Sequence, residues 1–378
     1  MTGSANRPAT RLATRLSFLV AGFGMACWAP LVPFAKARLG VEDAQLGVLL
    51  LCLGVGSLAA MPVTGALTGR LGCRPMILLG GVGLCVALPL LTLASSAPGL
   101  AAALLLFGAS LGMIDVAMNI HAVAVERESG TPLMSGFHGL FSVGGFAGAG
   151  GMTLLLSAGL APFPATVAAA LLGFALLAVA GPRLLAAKPD SAGGGFARPR
   201  GIVLLLASLA ALVFLAEGAI LDWSALLLTE RGLVGAGGGG IGYMVFSVAM
   251  TVGRLLGDRV VSRFGGPQVL AGGGAVTIAG FAVLLLSPSA VPAIGGFLLI
   301  GLGASNIVPV LFSATGRQTA MPASLAVAAM TTVGYAGILV GPAIMGFVAQ
   351  GVGLYGAFWL LAALIGVVPL AARHVRTV

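Results

Sequence analysis

Few residues in this 378-residue chain can do chemistry, and most of them stand alone. Asp and Glu together number 10, and there are 3 His. Asp115 and Asn119 are four apart, so on a helix they share a face. Glu217 and Asp222 are five apart, about 140° around a helix, and cannot serve one group jointly. Arg254 and Asp258 have the i, i+4 spacing of a helical ion pair. His121 and His138 can each relay a proton near neutral pH. None of this adds up to an enzyme. There is no nucleophile elbow, no phosphate-cradling loop and no pair of carboxylates in an exposed cleft, and Gly237–Gly240 reads as a loop. Cys27, Cys52, Cys73 and Cys85 lack metal-ligand or CxxC spacing and read as small buried hydrophobes. The sequence predicts no catalytic residue, no metal and no cofactor.

The surroundings of these residues say what they are for. Hydrophobic residues make up 59% of the chain and charged residues only 8%. A soluble domain carries about 25% charge to face water. Too much surface is apolar for a disordered chain, and the 60 Gly follow no three-residue period, which excludes collagen. An integral membrane protein remains. A hydrocarbon core of about 30 Å needs about 20 apolar residues per helix, so twelve spans fit with short loops. The expected spans are 16–34, 44–68, 75–95, 100–124, 133–159, 163–182, 202–228, 240–262, 268–287, 292–315, 324–349 and 354–372. The first is too long, and lacks too clearly a cleavage site, for a signal peptide. Ser129–Pro182 and Gln318–Ala372 carry no Asp, Glu, Lys or Arg, so each is two spans joined by a tight Gly-rich turn.

The net charge is +9, which in a soluble protein would suggest nucleic acid. Here the basic residues cluster between apolar runs and read as topology signals, with no nucleic-acid partner. With the N-terminus cytoplasmic, Lys36, Arg38 and Arg231 lie outside, and the other 16 of the 19 basic residues lie at the inner face. Both termini are then cytoplasmic. Arg183–Arg200 is the longest polar stretch and lies midway along the chain. It reads as a cytoplasmic linker between an N-terminal half, 1–182, and a C-terminal half, 201–378.

The halves repeat each other. Gly72 and Gly265 are 193 apart, as are Arg70 and Arg263. Trp28 and Trp223 are offset by 195, as are Lys36 and Arg231 and Gly47 and Gly242. A duplicated six-helix unit is the type of parallel repeat found in alternating-access transporters, with the solute site near the midplane between the halves.

Gly65-xxx-Gly69-Arg70-x-Gly72-x-Arg74, after span 2, resembles the loop signature of the major facilitator superfamily, Gly-xxx-Asp-Arg-x-Gly-Arg-Arg. Gly69 replaces the Asp, which leaves Asp258 in the equivalent loop of the other half to compensate. Leu39-Gly40-Val-Glu-Asp-Ala-Gln45-Leu46-Gly47 also resembles the family's entry into span 2. Asp115-Val-Ala-Met-Asn119-Ile-His121, with Ser135-Gly-Phe-His138-Gly, resembles a bacterial branch near the sugar permeases. The resemblance implies an all-α integral membrane protein, with twelve transmembrane helices in two pseudo-symmetric six-helix bundles around a central cavity. It implies that spans 3, 6, 9 and 12 face lipid. Those segments independently lack Asp, Glu, Lys, Arg, His and Asn.

On this frame Asp115, Glu217 and His138 are the proton-coupling candidates, because ionisable groups at membrane depth are functional by default. The structural alternative is hydrogen bonding between helices for the carboxyls and an interfacial role for His138. Neither carboxyl has Lys or Arg at helical spacing. Trp28, Asn119, Asp222, Trp223, Tyr243, Asn306 and Tyr335 are solute-cavity candidates, with interfacial anchoring the alternative for Trp. Gly65, Arg70, Gly72, Arg74, Arg254, Asp258, Arg259 and Arg263 form the cytoplasmic gate. The expected function is a secondary transporter, a proton symporter for a small polar solute such as a sugar or related neutral compound, acting as a monomer in the bacterial inner membrane. A proton-coupled antiporter exporting drugs or cations is the alternative, disfavoured because span 5 lacks the Pro of the family's antiporter motif. A solute sensor that does not transport is a third reading, disfavoured because no soluble domain is appended.

Overall fold

The computed structural model describes residues 8–41, 43–185, 198–234 and 240–375. Arg7, Glu42, Lys188, Ser191, Gly193–Gly195, Gly237–Gly239 and Arg376, and with them most of the expected linker, lie outside the described residues. All regular structure among the described residues is helical. In chain order the helices are α1 Pro8–Cys27, α2 Val32–Leu39, α3 Asp43–Leu71, α4 Cys73–Leu93, α5 Ala97–Ser129, α6 Met134–Ser157 and α7 Pro162–Ala180. There follow α8 Ile202–Glu230, α9 Ile241–Phe264, α10 Gly266–Leu286, α11 Ala290–Ala304, α12 Ile307–Arg317, α13 Ala323–Ile365 and α14 Val367–Ala371.

Four expected spans differ in detail, each for a backbone reason. Span 1 starts eight residues early and breaks at Ala29–Leu31, where Pro30 falls between α1 and α2. Span 10 divides into α11 and α12 at Ser305 and Asn306. Spans 11 and 12 run together as α13, interrupted where Gly353 takes φ 74°, ψ 163°. By length and apolar composition alone, eleven segments among the described residues can cross a membrane. The expected eighth span, α9, falls outside that set because Arg254, Asp258, Arg259 and Arg263 crowd its C-terminal half.

The chain divides into two compact units. One comprises Met1–Gly130, Phe137–Arg198 and Pro322–Ala329, the other Thr131–Gly136, Pro199–Met321 and Met330–Val378. Within the first unit α3 and α5 pack along each other. Ser57 Oγ donates to the Gly108 carbonyl at 2.8 Å, and a Cβ at Gly108 would collide with the Leu53 carbonyl. Within the second, Phe246, Phe281, Phe297, Phe358 and Ile300 form the centre of a core drawn from α9, α10, α11 and α13. Large apolar side chains such as Leu154, Val291, Phe347 and Leu370 stand exposed, as expected of a protein solvated by lipid.

The duplication is written into the backbone. Gly72 (φ 90°, ψ 169°) and Gly265 (φ 81°, ψ 155°) make the same turn, one between α3 and α4, the other between α9 and α10. Arg38 donates from Nε to Ala94 O at 2.9 Å and from Nη2 to Leu91 O at 2.8 Å. Arg231 donates to Ser287 O at 2.7 Å and to Leu284 O at 2.6 Å. All four pairs, Gly72/Gly265, Arg38/Arg231, Ala94/Ser287 and Leu91/Leu284, are offset by 193 residues. The structural counterpart of Arg231 is therefore Arg38, not Lys36 as spacing alone suggested. Each Arg closes orphan carbonyls at the C-terminal end of a helix, where a cation also meets the negative end of the dipole.

The turn conformation of Gly72 and Gly265 is essentially glycine-only, and forcing another residue into it costs about 1–3 kcal/mol. Gly265→Ala and Gly72→Ala should each lower the melting temperature of the detergent-purified protein. Gly150→Ala, on a helical position where a Cβ meets nothing within 4 Å, should leave it unchanged.

Candidate functional site: two buried polar clusters

The first unit holds its polar groups on α5. Asn119 Nδ2 donates to the Asp115 carbonyl oxygen at 2.9 Å and to Asp115 Oδ1 at 3.3 Å. Both side chains are buried, and Asn119 Oδ1 has no hydrogen-bond partner among the described residues. The i, i+4 spacing thus places a carboxyl and an amide in direct contact, as the helical period requires.

Two residues past Asn119, His121 is held at both ring nitrogens. The Leu185 backbone N–H donates to Nε2 at 2.9 Å, and Nδ1 lies 3.2 Å from Thr14 Oγ1. Thr14 gives its own proton to the Thr10 carbonyl at 2.9 Å, so Nδ1 must be the donor in that contact. The network assigns a neutral imidazole protonated at Nδ1. His121 ties α1 and the segment leaving α7 to α5. His138 sits at the start of α6 with its ring edge-on to Phe18, 5.1 Å between centroids. Trp28 is buried beside the break that follows α1, and its indole N–H meets no acceptor among the described residues.

The second unit builds its cluster from three helices. Arg254 of α9 is buried, and its Nη2 lies 3.5 Å from Glu217 Oε1 of α8. Its Nε donates to the Ser305 carbonyl at 3.4 Å. That carbonyl is available because its helical partner would be the nitrogen of Pro309, which carries no hydrogen. The break between α11 and α12 therefore supplies an acceptor at membrane depth, where every freed backbone group needs one. Asn306, next in the break, donates to Gly253 O at 3.1 Å and to Ser305 Oγ at 3.0 Å. The expectation that Glu217 has no cation nearby holds along its own helix and fails through space. Arg254 is 37 residues away in sequence, a pairing no helical period reveals.

The other candidates scatter. Asp222 is exposed on α8. Trp223 packs against the aromatic core of the second unit, with no partner for its indole N–H among the described residues. Tyr243 lies toward the other end of α9 against Phe246, and the Tyr335 ring meets Phe214 at 6.1 Å. Among the gate residues, Asp258 Oδ1 accepts the Gly136 backbone N–H at 3.1 Å, in the first turn of α6 and within the second unit. A carboxylate there meets the positive end of the helix dipole. Gly65 of α3 lies against Ala328, both in the first unit. Arg70 and Arg259 are exposed, Arg74 is half-buried, and Arg263 lies over the Phe264 ring. Among the described residues no group of three His, Cys, Asp or Glu is placed to hold a metal.

Residues 16–324 match the sequence model of the Major Facilitator Superfamily. The chain belongs to the major facilitator superfamily. It is 53% identical over 366 residues to an uncharacterized MFS-type transporter of Yersinia pestis, covering 97% of this chain and 95% of that protein. It is 32% identical to membrane protein MosC of Rhizobium meliloti, covering 98% and 92%. Among solved structures, the human organic anion transporter MFSD10 superposes with a TM-score of 0.77 at 18% identity, over 97% of this chain and all of that one. FucP in its outward conformation gives 0.75 at 16%, over the full length of both. These structural likenesses establish the fold. As a superfamily member the protein is a membrane-embedded transporter of a small molecule and not an enzyme.

Replacing His121 by Leu would leave the buried Leu185 N–H without an acceptor. An unmet buried donor costs about 1–3 kcal/mol. A clear fall in thermal stability of the purified His121→Leu variant is the expected result, and Thr14→Val should cost less because it leaves the Leu185 bond intact.

Proposed function

We propose that the protein is a proton-coupled secondary transporter of a small polar solute, working by alternating access between its two six-helix halves, 1–182 and 201–378. The observation that carries this reading is the presence of ionisable side chains at membrane depth. Glu217 is 15 residues into α8, about 22 Å along it. Asp115 is buried against Asn119 with no Lys or Arg at helical spacing. Such groups are expensive in a bilayer and persist where they move ions or bind cargo. A carboxyl group can take a proton from one side and release it to the other as access alternates. His138, at the start of α6, is the third proton-relay candidate. Sugars and related neutral compounds are the first solutes to test, following the resemblance to sugar permeases.

The protein is placed in the bacterial inner membrane with both termini cytoplasmic, on the strength of the 16 basic residues that then lie inside. Arg70 and Arg74 then belong to a cytoplasmic loop and act on the conformational equilibrium, not on solute contact. In a cysteine-free background, a single cysteine at Ser96 should label from outside and one at Ser129 only after permeabilisation. The reverse pattern would invert the topology.

Coupling is tested in proteoliposomes. Asp115→Asn and Glu217→Gln should each abolish accumulation driven by a pH gradient while sparing solute exchange. Intact gradient-driven uptake in both variants would return these residues to hydrogen-bonding roles.

A further inference from the structure

The seam between α3 and α5 is polar on both sides. Ser57 Oγ donates to the Gly108 carbonyl at 2.8 Å, and a Cβ at Gly112 would collide with the Ser57 backbone, so the two helices meet face to face there. Thr64 and Thr68 follow Ser57 by two and three helical turns and continue its face of α3. Asp115 and Asn119 follow Gly112 by one and two turns and continue the facing stripe of α5. Ser57, Thr64, Thr68 and Asn119 are fully buried. Ser57 and Thr64 spend their hydroxyl protons on Gly108 O and Ala60 O, at 2.8 Å each. Asn119 Oδ1 and Thr68 Oγ1 have no hydrogen-bond partner among the described residues. Turning the Asn119 amide about does not help, because both groups that its Nδ2 meets, Asp115 O and Oδ1, are acceptors. Unmet polar atoms are costly in an interior, and more so at membrane depth. Water that bridges them removes the cost where the walls offer several polar partners, as this seam does.

We propose that this seam is the route by which the Asp115 proton reaches the inner side of the membrane, with Asn119 and Thr68 as its relay groups through bridging water. The inference rests on the proton-coupled reading above and on the cytoplasmic placement of the α3–α4 turn. It gives that reading a path. Asp115 lies 18 residues into α5, and Asn119 one turn farther. Thr68 lies three residues before the end of α3, about 5 Å from it. Its carbonyl accepts the N–H of Gly72 in the turn at 2.9 Å. The O–H bond of the Asp115 carboxyl breaks, and its proton passes into the water that Asn119 Oδ1 orders. That water gives a proton to the Thr68 oxygen as the Thr68 hydroxyl gives its own to the water beyond. One proton leaves the carboxyl, one emerges at the turn, and Asn119 and Thr68 end as they began. The carboxylate left behind keeps the hydrogen bond from Asn119 Nδ2.

His121, two residues past Asn119, is closed to this role. Its Nε2 lone pair is taken by the Leu185 N–H, and its Nδ1 proton is directed at Thr14. The charged residues of the helices packed against α5, namely Arg11, Arg15, Asp43, Arg70 and Arg74, stand near helix ends. The amide and the hydroxyl carry the stretch between.

Reactivity from the inner side tests the path without knowledge of the solute. Inside-out vesicles would hold the cysteine-free protein with one cysteine restored, as Thr68→Cys, Asn119→Cys or Ser57→Cys. Silver ion in nitrate buffer should react at the first two and block their later labelling by maleimide in detergent. Ser57→Cys, in the closely packed part of the seam, should stay unblocked. Reaction at Thr68→Cys and Asn119→Cys no faster than at Ser57→Cys overturns the proposal. In proteoliposomes, Thr68→Val should slow glucose accumulation driven by a pH gradient and spare glucose exchange, and Thr68→Ser should restore the rate. Undiminished accumulation in Thr68→Val overturns the relay, and so does an equal loss of accumulation and exchange, which a packing defect gives. Intact gradient-driven accumulation in Asp115→Asn would strike the proton site itself. Silver-inert cysteines, with accumulation abolished in Asp115→Asn, would strike this path alone.

Discussion

A polar group inside a bilayer has no water to turn to, and the rest of this structure follows from where each such group finds its partner. Backbone amides are satisfied within helices. Where a helix is interrupted or ends, a side chain has to complete the account. Arg38 and Arg231 do so at the ends of α4 and α10, and Arg254 does so at the carbonyl that Pro309 leaves unpaired. His121 does the reverse and accepts an N–H from the segment beyond α7.

The duplication repeats the scaffold and not the chemistry. Turn glycines and helix-end arginines recur at one offset because they solve the same backbone problem in each half. The polar clusters do not recur. The first unit places a carboxyl beside an amide on a single helix. The second places a carboxyl beside a guanidinium contributed by a neighbouring helix and anchored on a third. Conserving the frame while changing its contents lets two similar bundles hold different charges at membrane depth.

What could be read from the sequence divides along the same line. Span positions, the paired glycine turns and the Asp115–Asn119 contact are local. They follow from hydropathy, from a positive φ and from the helical period. The break in span 10 has a local cause too, since Pro309 removes the partner of Ser305 O, although the sequence does not say that Arg254 would fill the vacancy. The Glu217–Arg254 pair is invisible in sequence because it joins two helices whose relative rotation is set by packing. The spacing that suggested an Arg254–Asp258 pair missed that each residue also reaches off its own helix. The Lys36–Arg231 equivalence failed for a smaller reason. Two basic residues stand two apart, and only the carbonyls at 91 and 94 decide between them.

The two clusters give a proton opposite electrostatic consequences. At Asp115, whose hydrogen-bond partner is a neutral amide, protonation removes a lone negative charge. At Glu217, protonation removes the negative half of the ion pair with Arg254. One site becomes less charged when it binds a proton, and the other becomes more charged. That difference arises at one position, where α9 sets Arg254 beside Glu217 and α5 sets Asn119 beside Asp115.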